Sequence, residues 1–509
     1  MKTNPNCKVR SRVFLLLLAL AMLLSVCLTA CDDKNDGNDK TPSTSGNSPT
    51  DYAAEAGVDS NWTYDDQTFT FFIGSDGWVS DDIWDDEDSN VMKLAPGEPV
   101  YDAVMQRVLL MEELYGCKIA VTGQGEGTSA QSTIETHLNA GDNAFQAIST
   151  SGDVCYRLAV GENLWDFTQW DNLDLSASYW DQEFVDQMTI NGHLYFLLGE
   201  YSRRDNQMTH AIAFNKRMCG KYEGLPETSA EFYQLVKDGK WTLDKMFEYA
   251  QLVTGEVDGD GKLTENDRIG LLYRQTSVYG FLQGSGINIA SKDSNGELQL
   301  TFWSDKTATL WEKLMDMATS SYAMNTDKDA ILGDSYIDAK KMMEEDRCLF
   351  FCEYIHTFEE MRKQDIEFGI LPFPKYDEAQ EQYISASHDY GTNFLCVPIM
   401  NLDTENTANI LSIFSYMGQE MLTPAYYENV LYGKTVKDEE SREMLDLIFE
   451  TKHYDLGTYM NWSEFSKKLM NGVWNEKSTA LSSFYNSYEK RVKRQIDTEM
   501  NGAAFSSLT

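Results

Sequence analysis

Between Glu256 and Asp267 the oxygen-bearing side chains are spaced as in a calcium-binding loop. Counting Glu256 as position 1, Asp258, Asp260, Thr264 and Asp267 fall at positions 3, 5, 9 and 12. Gly261 stands at position 6, where such a loop turns sharply, and Lys262 at position 7 offers its main-chain carbonyl. Leu263 can anchor the loop to the body. A hard dication needs such a ring of oxygens. Two positions depart from the pattern, since the loop opens on Glu rather than Asp and closes on Asp rather than Glu. The shorter Asp267 weakens bidentate binding and lowers affinity. The expectation is a structural Ca²⁺. The plain alternative is a solvated acidic turn ahead of Ile269-Gly270-Leu271.

A second chemistry is written in acids that stand beside aromatics in loop-like sequence. Sugars present apolar ring faces and many hydroxyls, so a site for them needs flat aromatics with carboxylates or amides. The candidates are Asp76 with Trp78, Asp153, Glu200 with Tyr201, Tyr279, Glu353 with Tyr354, and Asp389 with Tyr390. Trp165, Trp180 and Trp241 read better as core. Trp78 and Tyr390, flanked by Gly and Asp, read as site residues, and Trp78 is the leading stacking residue.

Catalysis finds little support. There is no H-E-x-x-H, no G-x-S-x-G and no complete dinucleotide fingerprint, and Gly123, Gly125 and Gly127 do not make one. The six histidines are scattered without recognisable partners. Among 81 acidic residues a carboxylate pair suited to glycoside hydrolysis can arise by chance, so a tethered glycosidase is the enzymatic alternative. A glycan-adhesion lipoprotein is the structural one. The expectation is a binding protein, not an enzyme.

Charge narrows the partners. Against 42 basic residues the 81 acidic ones give a net charge of −39, which argues against a phosphate-backbone binder or docking on anionic headgroups. A neutral ligand fits best, and no nucleic acid is expected. A chain of 509 residues, 42% hydrophobic, implies two or more lobes with real cores. Beyond Cys31 lie Cys117, Cys155, Cys219, Cys348, Cys352 and Cys396, with no C-x-x-C pair and no zinc spacing. They read as buried thiols, with a disulfide left open.

The elements that must position these groups follow a β-α-β rhythm. Thr68 to Ile73 reads as a buried strand ending at Gly74. Tyr101, Val104, Val108, Met111 and Tyr115 recur at helical spacing before Gly116. Lys118 to Thr122 is a strand, Ser132 to Leu138 a helix, Phe145 to Ser149 a strand and Val154 to Val160 a helix. Alternation of this kind implies a mainly parallel sheet with ligands at the carboxyl ends of its strands. Further on, His193 to Leu198 and Thr209 to Phe214 read as strands, and Thr242 to Val253 and the tail from Asp438 as helical.

The amino terminus is an export signal. Lys2, Lys8, Arg10 and Arg12 precede an apolar run from Val13 to Val26, shorter than a membrane span. Leu28-Thr29-Ala30-Cys31 resembles a bacterial lipobox, which makes Cys31 the lipidated amino terminus of a mature protein on the outer face of the cell membrane. Residues 32–61, rich in Asp, Asn, Ser, Thr, Gly and Pro, form a leash too polar to bury itself.

Along the body, short matches accumulate in order: Leu164-Trp165-Asp166-Phe167-Thr168, Leu173-Asp174-Leu175-Ser176 with Tyr179-Trp180-Asp181-Gln182, Ile190-Asn191-Gly192-His193-Leu194-Tyr195-Phe196, Phe214-Asn215-Lys216, Gly239-Lys240-Trp241-Thr242, Phe368 to Asp377, Thr423-Pro424-Ala425-Tyr426-Tyr427 and Glu440 to Asp446. In these the chain resembles the extracellular solute-binding lipoproteins of bacterial ABC importers, carbohydrate type, family 1. The resemblance implies an α/β fold, a two-lobed periplasmic-binding-protein-like clamp with discontinuous lobes. It also implies hinge closure on a neutral oligosaccharide, delivery to an ABC permease, and a monomer. The implied division is residues 1–30 signal peptide, 31–63 tether, 64–205 and 390–440 first lobe, and 206–389 and 441–509 second lobe. The crossings are implied near Gly199-Glu200-Tyr201-Ser202 and near Ser387 to Gly391.

Overall fold

Thr68–Gly74, a run of β-branched and aromatic residues, forms β1 and sets a phenylalanine on each face of its sheet. Phe71 packs on Phe414 at 5.6 Å, and Phe72 on Phe145 at 5.0 Å. With both faces covered, neighbouring strands can be parallel: β2 (Lys118–Thr122) and β3 (Ala147–Ser151) flank β1 in parallel register, Phe69 opposite Ile119 and Phe72 opposite Ile148. The helix Pro99–Tyr115 begins on a proline that has no N–H to lose and ends at Gly116 in the left-handed region (φ 58°). A side chain at Gly116 would also meet the main-chain nitrogen of Asp66 at 2.9 Å. The computed structural model describes residues 51–74, 82–83, 97–123, 128–327, 335–361, 364, 366–388, 391–427 and 439–500. Among them no helix is long and apolar enough to cross a membrane.

The second lobe is built on β4 (His210–Asn215), β5 (Ile269–Tyr273), a hairpin of β6 (Ala290–Lys292) and β7 (Leu298–Leu300), β8 (Ala323–Asn325), β9 (Cys348–Tyr354) and β10 (Phe368–Leu371). Five of these make one sheet in the order β10-β4-β9-β5-β8, with β5 parallel to β8 and β9, and β4 antiparallel to β9 and β10. Alternation along β4 divides the faces. Ala211 and Ala213 join one apolar cluster, while Ile212 and Phe214 join the other, where Phe214 meets Phe232 at 4.7 Å. The helix Leu243–Val253 starts where Thr242 accepts a hydrogen bond from the Lys245 N–H, a side-chain cap placed as its sequence suggests.

The chain then returns through β11 (Ser385–Ala386) to β12 (Asn393–Cys396), which pairs antiparallel with β3 and completes the first sheet as β12-β3-β1-β2. The helix Thr404–Met417 covers that sheet and runs into a π-helical turn, Gly418–Leu422. The helix Glu439–Glu450 lies on the second lobe, where Ser441 and Tyr233 share a hydroxyl contact of 2.5 Å. After it, β13 (Lys452–His453) pairs with β11. The outward crossing and the return run side by side. Thr209 bridges Ser387, and the His388 N–H donates to the Met208 carbonyl at 2.9 Å.

Three expectations are corrected. Residues 52–58 are not leash, because Tyr52–Glu55 is a short helix, Ala53, Ala56 and Val58 are buried, and the Ala53 N–H donates to the Tyr115 hydroxyl at 3.0 Å. His193 to Leu198 is not a strand. It makes only isolated bridges, Ile190 with His193 and Leu197 with Leu395, because its apolar side chains serve a connecting segment inside the core. The tail is not confined to the second lobe. Trp474 packs on Tyr273 at 5.3 Å in that lobe, whereas Trp462 meets Tyr156, and the Asn191 side chain donates to the Met500 carbonyl at 2.7 Å, in the first.

Candidate functional site

The carboxyl ends of β5, β8, β9 and β10 and the start of β4 share one edge of the second sheet. In the first lobe the ends of β1, β2 and β3 and the start of β12 share another. The crossings lead straight into both edges, at His210 and at Asn393, so the edges face one another across the hinge. This is where an α/β sheet binds ligands.

On the second-lobe edge, Arg274 holds two acids, Asp327 at 2.9 Å and Glu353 at 3.4 Å. Glu353 is buried. Burial pushes its carboxyl up to about 7, with Arg274 pulling the other way and Asp327 adding to the rise. Beside it the Tyr354 hydroxyl lies 2.5 Å from the Thr276 hydroxyl. The Tyr354 ring meets two histidines, His210 at 4.9 Å and His388 at 4.7 Å, which stack at 6.1 Å with 2° between their planes. Burial, aided by the Arg274 charge, lowers His210 to about 3. His388 is also held well below the ordinary value, by burial first and then by His210, Arg274 and Arg204. Both rings are therefore neutral at pH 7. Among the described residues neither ring nitrogen of His210 has a hydrogen-bond partner. Further along the edge, the Asn325 side chain donates to Asn475 (3.3 Å), and Asn475 donates to Gln275 (2.8 Å). Arg274, Gln275, Asp327 and Asn475 are only half-buried, which leaves guanidinium, amide and carboxylate groups partly open to solvent at this edge.

On the first-lobe edge, Asp153 sits at the start of the helix Gly152–Val160. One carboxylate oxygen accepts from the Ser151 hydroxyl (2.8 Å), and the other accepts from Arg157 (3.2 Å) and Lys467 (3.0 Å). Burial raises its pKa, but Lys467 and Arg157 outweigh burial and hold it below the usual carboxylate range. Lys467 belongs to a tail helix tied to the second lobe by the Ser466–Tyr279 hydrogen bond (2.8 Å), so this ion pair spans the lobes.

The hinge carries two buried charge clusters. In one, Lys452 reaches Asp205 at 2.5 Å, Asn206 at 3.0 Å and Asp181 at 3.2 Å, and the Tyr454 hydroxyl donates to Asp181 at 2.7 Å. In the other, Arg203 pairs with Asp82 (2.9 Å) and approaches Glu359 (3.8 Å). Glu359 also accepts from the Tyr426 hydroxyl (2.5 Å) and the Gln207 amide (3.1 Å). The Arg107 guanidinium lies 3.7 Å from the centre of the Phe414 ring and donates to the Asp82 and Tyr201 carbonyls.

These positions revise the sequence reading. Asp76, Trp78, Asp389 and Tyr390 lie outside the described residues. Tyr201 is buried with its hydroxyl on the Asn393 carbonyl (3.0 Å). Tyr279 is buried against Ser466 and Tyr354 against Thr276 and the histidines, so none of the three offers a free face for stacking. A single sequence shows that an aromatic follows a strand; it does not show which neighbours close over it. Glu200 stays half-buried at the crossing, where Thr423 donates to its carboxylate. Burial raises it to about 7, with Thr423 opposing. The amides Gln275, Asn325 and Asn475 and the hinge charges were missed. The unbroken polar run Ser202-Arg203-Arg204-Asp205-Asn206-Gln207, wholly buried between two apolar stretches, was the signal for the latter.

In the loop 256–267 the Glu256, Asp258 and Asp260 carboxylates come within 4.8 Å of one another, all exposed. Asp267 differs from expectation. It is buried, and its two oxygens accept main-chain N–H groups of Val257 (2.7 Å) and Thr264 (2.9 Å), bonds that hold its pKa below the usual value. It staples the loop shut instead of pointing at its centre. Asp260 accepts the Lys262 N–H at 2.8 Å.

No protein-family model and no curated protein sequence matches the chain. Solved structures match in fold. A cyclo/maltodextrin-binding protein complexed with maltotetraose superposes with a TM-score of 0.57 at 12% identity, covering 86% of this chain and 99% of that one. An ABC substrate-binding protein from Listeria monocytogenes in complex with cycloalternan gives 0.52 at 14%, covering 86% and 99%. An ABC transporter solute-binding protein from Thermotoga lettingae bound with α-D-tagatose gives 0.53 at 14%, covering 85% and 100%. The chain therefore has the two-lobed α/β fold of ABC substrate-binding proteins, as the sequence resemblance implied.

Proposed function

We propose that a chain built on this fold is the extracytoplasmic substrate-binding component of an ABC importer. It captures a neutral carbohydrate, an oligosaccharide, by closing its lobes, and delivers it unaltered to the transmembrane permease. The observation that carries this reading is the facing of two ligand-binding strand edges across a shared hinge, one of them lined by half-buried Arg274, Gln275, Asp327 and Asn475. Amides and ion-paired carboxylates suit hydroxyls, which both donate and accept. Structures of this fold hold maltotetraose, cycloalternan and tagatose, which supports a sugar as ligand. Titration calorimetry with linear and cyclic malto-oligosaccharides should give saturable binding and a change in tryptophan fluorescence on closure. Paired Gln275→Ala and Asn475→Ala substitutions should weaken it about tenfold or more, since each lost hydrogen bond is worth roughly 0.5–1.5 kcal/mol. Binding of peptides with no binding of any saccharide would move the protein to another solute class. Steady release of reducing ends would make it an enzyme.

Two further parts of the reading come from sequence. Cys31 is the lipid anchor, and the Cys31→Ala protein should leave the membrane fraction; retention like the wild type overturns this. The loop 256–267 binds Ca²⁺ through Glu256, Asp258 and Asp260, with the Lys262 carbonyl and Thr264, while Asp267 keeps it closed. Three exposed carboxylates held together repel each other unless a cation neutralises them. A ligand bound only by the folded state at a hundredfold excess over Kd adds about 2.7 kcal/mol. Chelator should therefore lower the Tm of the wild type and leave Asp260→Ala unmoved. Superimposable wild-type melting curves with calcium and with chelator would sink the site.

A further inference from the structure

The cysteines of the folded body are all free thiols, but two of them touch. The Cys155 sulfur lies 3.8 Å from the Cys396 sulfur. Cys155 stands on the helix Gly152–Val160 and Cys396 ends β12, so the contact joins a helix of the first lobe to the strand that completes its sheet. Both are fully buried, and the Cys155 sulfur also lies near the main-chain carbonyls of Thr150 (3.7 Å) and Phe394 (3.8 Å). Cys348 and Cys352 cannot imitate this pair. Four residues apart on one strand, their Cα atoms are roughly 13 Å distant, beyond the ~7 Å that a disulfide spans.

We propose that Cys155 and Cys396 form a structural disulfide, made by thiol–disulfide exchange while the first lobe folds. The sulfurs need approach by under ~2 Å to reach bonding distance, a change within reach of side-chain rotation and a small helix shift. The native packing itself selects the pair. Once the helix has docked, burial raises the Cys155 thiol far above its ordinary pKa and shuts out any oxidant, so the chemistry belongs to the folding chain. One thiolate attacks the disulfide of an exchange oxidant, a protein disulfide donor or oxidised glutathione, giving a mixed disulfide and one oxidant thiol. The second thiolate attacks the protein sulfur of that mixed disulfide, forms the Cys155–Cys396 bond and expels the second oxidant thiol. The protein loses two protons and two electrons, and the oxidant gains them. The bond would close a ring that contains all five strands of the second sheet yet would itself lie wholly within the first lobe. It would therefore strengthen the first lobe without bridging the hinge.

The reading of an exported protein bears only on the oxidant met in the cell, and the test does not depend on it. The full chain, reduced and unfolded, is refolded in a glutathione redox buffer, blocked with an alkylating agent and mapped by mass spectrometry. The expected result is a linked Cys155–Cys396 peptide pair lighter by ~2 Da than the two free peptides, with the other body cysteines alkylated. Cys155→Ala and Cys396→Ala should each abolish the link, and the oxidised wild type should unfold at higher denaturant concentration than the reduced form. The proposal is overturned if refolded wild-type protein, shown native by circular dichroism, carries both thiols alkylated, or if either sulfur is found joined to another cysteine. Should a variant fail to fold, the wild-type peptide map alone decides.

Discussion

Lys452→Met lowers the stability of the folded protein by about 3–5 kcal/mol, read from urea unfolding near pH 7.5. Methionine nearly keeps the length of lysine and removes its charge. Asp205 and Asp181, now 2.5 and 3.2 Å from the ammonium, are then left buried without a cation. The pH dependence separates this from a packing defect. Burial alone would lower the Lys452 pKa, but Asp205, Tyr454 and Asp181 outweigh it and hold it well above the ordinary value. The stability from that raised pKa is complete below the unfolded lysine value and is lost only as pH rises through the folded one. Burial raises Asp181, but Lys452 and Tyr454 outweigh it and lower the folded pKa. Its contribution is present above the unfolded value and is lost as pH falls through the folded one. In the variant an acid medium relieves the uncompensated carboxylates, so the gap to wild type should be widest near neutrality and should narrow toward pH 4. A gap that stays constant from pH 4 to 8, or one below about 1 kcal/mol, would show that the cluster does not hold the hinge.

Gly418→Ala should destabilise by about 3 kcal/mol and shift ligand-driven closure. A Cβ there would stand 1.8 Å from the Glu200 carbonyl oxygen and 3.0 Å from the Arg107 guanidinium. The first obstacle is backbone, and the second is held by the Tyr201 carbonyl, so neither can swing aside. The helix end and the first crossing must part instead. Gly472→Ala is the control. Nothing lies within 4 Å of its added carbon, and it sits in the helical run Met470–Trp474, so it should leave the Tm unchanged or raise it slightly. Equal melting temperatures for Gly418→Ala and wild type would refute this account of the contact.

How much of this was legible in the sequence depended on how local each signal was. The run Thr68 to Ile73 and the helix capped by Thr242 were readable because strand propensity and capping act within a few residues. The third strand begins two residues later than its apolar pattern suggested, at Ala147. The crossings near Gly199 and Ser387 followed from resemblance; in the structure the outward and return segments run side by side at Thr209 and Ser387, while Gly199 still bridges Trp180. Pairings across long separations were not readable. Lys452 and Asp205 stand 247 positions apart, and Gln275 and Asn475 stand 200 apart. No local pattern announces that such residues meet. The same limit explains Tyr201, Tyr279 and Tyr354, whose loop-like settings suggested exposure while distant segments bury them.

The placement of β12 also bears on the order in which the molecule comes into being. β3 awaits an antiparallel partner that arrives roughly 240 residues later in the chain. Until then the growing first sheet carries a raw edge of unpaired amides, the kind of edge on which nascent chains stick to one another. The second sheet has no such wait, because all five of its strands fall between His210 and Leu371. Its completion brings Thr209 beside Ser387 and so turns a long search by β12 into a short one. The inserted lobe thus acts as an internal template for the one that surrounds it. Pulsed hydrogen exchange during refolding should find β4, β5, β9 and β10 protected before β3, and the reverse order would contradict the scheme.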